Sequence, residues 1–178
     1  MNTLAGKKIA ILATDGFEQV ELTKPKAALE EAGATVHVVS PEKGSIKGWD
    51  KTDWGQAVDV DVSLDEATAG TYDALVLPGG QINPDKLRIE EKAIDFIRTI
   101  GQQQKPIAAI CHGPWTLIEA ELVRGKKMTS FPSIKTDLRN AGAEWVDQEV
   151  VIDQGIITSR NPDDIPAFNK AMIEEFAK

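Results

Sequence analysis

Three short stretches of this sequence are apolar at consecutive positions: "KIAILAT" (8–14), "YDALVLPGG" (72–80) and "PIAAIC" (106–111). Such a run has no polar face to give to water, so it forms a strand covered on both sides. Each run breaks into a turn and is followed by a helix pattern. After the first comes "DGFEQVEL", then a helix expected over 23–32, with Pro25 in its first turn and Gly33 as its stop. "TVHVVS" (35–40) is the next strand and completes a βαβ unit. Further helices are expected over 90–104, 112–122 and 134–141, with a last one from Asn161-Pro162 to the C-terminus. Residues 41–56 read as a surface hairpin or excursion. "VDVDVSL" (58–64) alternates as a half-exposed strand, 126–129 is strand-like, and "EVVIDQGIITSR" (149–160) forms a hairpin turning at Asp153-Gln154-Gly155. The alternation predicts an α/β fold: one domain over 1–178, a mostly parallel twisted sheet with helices on both faces. In such sheets ligands bind at the carboxyl ends of strands. The loops at 15–18, 78–85 and 111–114 are therefore the candidates.

The totals narrow the function classes. The one cysteine, Cys111, excludes an intrachain disulfide, and with only two histidines no spaced metal-ligand cluster exists, so neither a metal nor a cofactor is expected. A formal net charge of −8 gives nucleic acid no electrostatic support, and the short basic stretch 124–127 reads as a solvated strand edge. No apolar run approaches the roughly 20 residues of a membrane span. The polar opening stretch has no signal-peptide apolar core, so a cytoplasmic location is expected.

Cys111 sits in "AICHG", which has the form small-x-nucleophile-x-Gly on a strand-to-helix turn. A sharp elbow needs small residues two before and two after the nucleophile, because two backbones approach closely there. A helix N-terminus favours thiolate, so a depressed thiol pKa is expected. His112 follows at once; its N–H points over the sulfur as half of an oxyanion hole, and its ring is a candidate base or acid. Gly80 ends a neighbouring strand and is the candidate second N–H donor. Glu18, after the first strand, is the candidate carboxyl beside the thiol, where its own pKa would rise. Glu21 reads as a surface or packing residue. His37, Trp115 and Trp145 read as packing residues, and Trp49 and Trp54 as an interface or a site rim.

Together "DGFEQVEL", "YDALVLPGG", "PIAAICHGP", "LVRGKKMTS", "NAGAEWVDQEVVID" and "ITSRNPDDIPAF" resemble the PfpI-type intracellular protease family. That family belongs to the class I glutamine amidotransferase-like superfamily, with a flavodoxin-like fold, and is related to the parkinsonism-associated deglycase. The resemblance covers nearly the whole chain. It implies Cys111 as nucleophile, His112 beside it, Glu18 as the carboxyl on the sulfur, and Gly80 and His112 as the oxyanion hole. It also implies that Asp85 of an adjacent subunit orients His112, hence a homodimer or larger homo-oligomer. Asp85 stands where the archaeal proteases have Glu, on a loop one residue longer. No histidine follows His112, which disfavours a glutaminase. The implied chemistry is attack of the thiolate on a small carbonyl or a peptide, as peptidase, glyoxalase or deglycase. The alternative is a redox or stress sensor, or a chaperone-like protein, acting through oxidation of Cys111.

Overall fold

The computed structural model describes residues 2–178, so of the polar opening stretch only Met1 lies outside it. In chain order the elements are β1 (Lys8–Leu12), α1 (Gln19–Glu31), β2 (Thr35–Ser40), β3 (Ser45–Asp50), β4 (Asp53–Asp59), β5 (Val62–Ser63), β6 (Ala74–Leu77), α2 (Ile82–Leu87), α3 (Glu91–Gln102) and β7 (Ile107–Ile110). They continue with α4 (Pro114–Glu119), β8 (Lys127–Met128), α5 (Lys135–Asn140), β9 (Glu144–Trp145), β10 (Val151–Asp153), β11 (Ile156–Ser159) and α6 (Ile165–Phe176). Seven strands form one sheet in the order β10-β11-β7-β6-β1-β2-β5. Every pairing is parallel except the β10–β11 hairpin, which turns at Gln154 and Gly155, both at positive φ.

The apolar runs behave as their composition requires. Successive residues point to opposite faces of the sheet. Ala10, Leu12, Leu75, Leu77 and Ala109 pack into one core under α3, α4 and α5. Ile9, Ile11, Val76, Ala108 and Ile110 pack into the other, under α1 and α6. The second face of each strand is thus as dry as the first. α3 presents Ala93, Ile94, Phe96, Ile97 and Ile100 to its core at helical spacing.

Four elements differ from the sequence expectation. "VDVDVSL" is not one strand. β4 ends at Asp59, and the chain turns through Val60 and Asp61, whose N–H groups bond Gly44 O and Val38 O, before β5 joins β2. The alternating pattern recorded two partners, not one continuous ladder. α1 begins at Gln19, so Pro25 lies inside it and removes the bond that the Glu21 carbonyl would accept. Residues 82–87 form α2 rather than loop. α4 starts at Pro114 and ends at Glu119, because the chain from Cys111 to Gly113 is spent on the elbow.

Candidate active site

The three loops expected from the sequence do converge. The backbone N–H of Glu18 donates to Gly79 O at 3.3 Å, and Trp49 N–H to Phe17 O at 2.7 Å, which docks the β3–β4 hairpin against the loop after β1. Asn83, fully buried on α2, clamps the loops: its Oδ1 accepts from Thr14 N–H at 2.8 Å, and its Nδ2 donates to Pro78 O and Gly79 O at 3.0 and 3.1 Å. A buried amide placed this way answers backbone groups that would otherwise be orphaned. No sequence signal marks it, since residues 78–85 read as loop.

At the end of β7 the backbone of Cys111 is forced to φ 64°, in the left-handed region that only a well-anchored non-glycine residue occupies. The anchors are Cys111 N–H to Ser159 O at 3.0 Å and Phe131 N–H to Cys111 O at 2.9 Å. A Cβ on Gly113 would stand 2.6 Å from Leu77 O and 2.9 Å from Ile110 O, which is the close approach the small-x-Cys-x-Gly pattern requires.

The carboxyl beside the sulfur is Glu21, not Glu18. Because α1 starts at Gln19, Glu21 falls on its buried stripe with Leu22, Pro25 and Leu29. Its Oε1 accepts from Gly79 N–H at 3.1 Å, and the carboxyl reaches the Cys111 thiol. Oε2 is sealed from solvent with no well-formed hydrogen bond of its own. Burial, then the charge of Glu18, pushes the Glu21 pKa up to about 8, so this carboxyl is largely protonated at neutral pH. Glu18 caps the turn beside it. It accepts from Lys51 N–H at 3.2 Å, lines the same cavity, and burial raises its pKa too. The signal for Glu21 was its i,i+4 spacing to Pro25, visible once the helix start is placed correctly.

The thiol also departs from expectation. Burial, followed by the Glu21 charge, pushes its pKa well up, against the N–H groups of Gly80 and His112, which point at the sulfur and pull it down. Cys111 lies at a turn three residues before a short helix, so the helix terminus is too far away to overcome a 7% exposed environment. Thiolate here depends on local donors.

His112 supplies one of them through its backbone N–H, and its ring lies beside the sulfur as an acceptor. Its Nδ1 is 3.1 Å from Cys111 Sγ and its Nε2 is 3.2 Å from Ser133 Oγ. The ring stacks on Phe131 at 4.8 Å and meets the edge of Trp115 at 5.1 Å, and burial lowers its pKa. It is a neutral imidazole at pH 7, able to accept a proton. Asp85 is exposed on α2 and makes no side-chain hydrogen bond to His112 within the chain. Ser133 was not foreseen.

These groups line a cavity of about 670 Å³, where Glu18, Glu21, Gly80, Cys111 and His112 are joined by Trp49, Lys51, Phe131 and Pro162. Trp54, 45% exposed, packs edge-on against Trp49, which lines the cavity. His37 bonds Tyr72 OH at 3.0 Å, Trp115 Nε1 donates to Asp137, and Trp145 Nε1 donates to Ser130, all in packing roles. Among the described residues no helix is long and apolar enough to cross a membrane, and no group of three or more His, Cys, Asp or Glu side chains is placed to hold a metal ion.

Residues 7–175 match the family described as DJ-1/PfpI. The chain belongs to the DJ-1/PfpI family. General stress protein 18 of Bacillus subtilis is 46% identical over 167 residues, covering 93% of this chain and 95% of that protein. Protein/nucleic acid deglycase 2 of Escherichia coli is also 46% identical, covering 92% and 94%. The crystal structure of Drosophila melanogaster DJ-1beta superposes with a TM-score of 0.88 at 30% identity, covering 96% of this chain and 90% of that one. The DJ-1/PfpI fold is thus the one the sequence pattern predicted, with relatives named as deglycases and as a stress protein.

Proposed function

We propose that this DJ-1/PfpI protein is a cysteine-dependent enzyme acting on small 2-oxoaldehydes and their adducts, converting the free aldehyde to a 2-hydroxy acid. One observation carries the proposal. A strained, shielded Cys111 sulfur is met by two backbone N–H donors, a protonated carboxyl and a neutral imidazole in one cavity. His112 Nδ1 takes the thiol proton, and the sulfur bonds the aldehyde carbon. The developing oxyanion falls to the Gly80 and His112 N–H groups. In the hemithioacetal so formed, a base moves the C1 proton to C2. Glu18, raised in pKa and on the cavity wall, suits that step. Water then hydrolyses the thioester and the thiol returns. The 7% exposure of Cys111 favours a small aldehyde over the backbone of a peptide as the partner that reaches it. A role for Asp85 would require a second copy of the chain to carry it to His112. The test is steady turnover of methylglyoxal without glutathione, set against cleavage of an unstructured peptide. Turnover of the aldehyde with no cleavage is expected; cleavage of the peptide alone would replace the proposal with a peptidase.

A further inference from the structure

His112 is 3% exposed, walled by Phe131 and Trp115, and its two ring nitrogens have one polar partner each. Nδ1 faces the sulfur. Nε2 faces the Ser133 hydroxyl, and Ser133 itself is exposed. A proton accepted at Nδ1 therefore has a single polar outlet from the ring, and that outlet opens on solvent. A hydroxyl both donates and accepts, so it can serve either tautomer of the imidazole.

We propose that Ser133 joins His112 to bulk water, as a positioning and proton-relay residue for the Cys111 site. The inference rests on the proposed role of His112 as base. The S–H bond breaks and its proton bonds to Nδ1. The Nε2 proton passes to Ser133 Oγ while the hydroxyl's own proton leaves to water. The imidazole is left neutral with its proton on Nδ1. When a proton is needed at the reacting carbon or oxygen, Nδ1 gives it and Nε2 takes one back from Ser133, which is replenished from water. The relay is complete within one chain.

The test compares Ser133→Thr with Ser133→Val in the full-length protein. The two side chains have nearly the same shape, and only one has a hydroxyl. Ser133 is exposed, so both variants should keep the wild-type melting temperature. With methylglyoxal as probe, Ser133→Val is expected to lower kcat about tenfold or more with KM within about twofold, and to raise the solvent deuterium isotope effect. Ser133→Thr should stay within about threefold of wild type. A second readout needs no turnover: in ¹⁵N spectra of the histidine ring, Ser133→Val should shift the Nε2 signal of His112 and slow exchange of the ring proton with water. Equal kcat for the Val and Thr variants, with an unchanged Nε2 signal, would overturn the relay. So would Asp85→Ala reproducing the kcat loss while Ser133→Val does not. If wild type turns over no 2-oxoaldehyde but the ring signals separate the two variants, the relay stands and the proposed substrate falls.

Discussion

Glu21→Gln is expected to make the protein more stable at pH 8 and nearly inactive at every pH. Glu21 is buried with a pKa raised to about 8 from an ordinary 4.5. A carboxyl with a raised folded-state pKa contributes its full stability below the unfolded value. That contribution is then lost as pH climbs from about 4.5 through 8, because the unfolded chain ionises freely while the folded one holds its proton. The slope is about 1.4 kcal/mol per pH unit. Between pH 5 and 8 wild type should thus lose roughly 3–4 kcal/mol from this group alone. Glutamine is neutral throughout and keeps the acceptor for Gly79 N–H, so its stability should stay nearly flat over that range. Denaturant unfolding of both proteins at pH 5 and pH 8 measures the difference directly. Turnover should fall by about 10²-fold or more, since an amide N–H is a weaker donor than a carboxylic O–H to the thiolate left when His112 takes the proton. Parallel stability curves would mean that Glu21 is ionised in the folded protein and that another group holds the thiol's charge.

Gly80→Ala should damage both the fold and the chemistry. Gly80 has φ +81°, and a Cβ there would stand 2.5 Å from Gly16 O and 2.7 Å from Glu18 N, both rigid backbone atoms. The left-handed backbone alone costs about 1–2 kcal/mol, and the clash adds overpacking of about 1–3 kcal/mol. A drop in Tm of roughly 4–20 °C follows for a chain this size. The loops after β1 and β6 must separate to make room, which moves the Gly80 N–H off the sulfur. Loss of one such donor costs about 10²–10³ in kcat. Gly70→Ala, where nothing lies within 4 Å of the added carbon, is the control, expected to behave as wild type. A Gly80→Ala enzyme with wild-type kcat would remove Gly80 from the oxyanion site.

Where the sequence could be read, it was because a single physical cause acted locally. Strands buried on both faces leave uninterrupted apolar runs, so β1, β6 and β7 each lie inside one of the three runs. With them came the end of the sheet where the site lies. The elbow was legible for the same reason: Gly113 is small because the Leu77 and Ile110 carbonyls crowd the turn. The misplaced carboxyl has a different origin. Pro25 drew the start of α1 towards itself, since proline is commonest in a first turn. With the helix begun late, Glu21 had no face to belong to and Glu18 stood nearest the loop. The tertiary contacts of Glu21 with Gly79 and Cys111, 58 residues away in the case of Gly79, decide the matter, and no local pattern records them.

The thiol's pKa, Asn83 and Ser133 were illegible for one shared reason. Each depends on what a distant segment brings to it. The elbow pattern suggested a helix terminus acting on the sulfur, but six-residue α4 begins only at Pro114, and burial outweighs it. Ser133 sits 21 residues after His112, in a stretch that reads simply as the approach to α5. Its contact with the imidazole arises because Phe131 N–H bonds the carbonyl of Cys111 and ties that stretch to the elbow.

The central claim is that the sulfur of Cys111 makes and breaks the bond to the carbonyl carbon. It is tested most directly by measuring 2-hydroxy acid formation from methylglyoxal by wild type, Cys111→Ser and Cys111→Ala, alongside their melting temperatures. Serine and alanine fit the space of a side chain that is 7% exposed and bonded to the fold through its backbone, so Tm should change by no more than about 3–4 °C, the effect of roughly 1 kcal/mol. Product formation should fall by about 10³-fold or more in both variants. Product formation within tenfold of wild type in either variant, from a protein of unchanged Tm, would contradict the account.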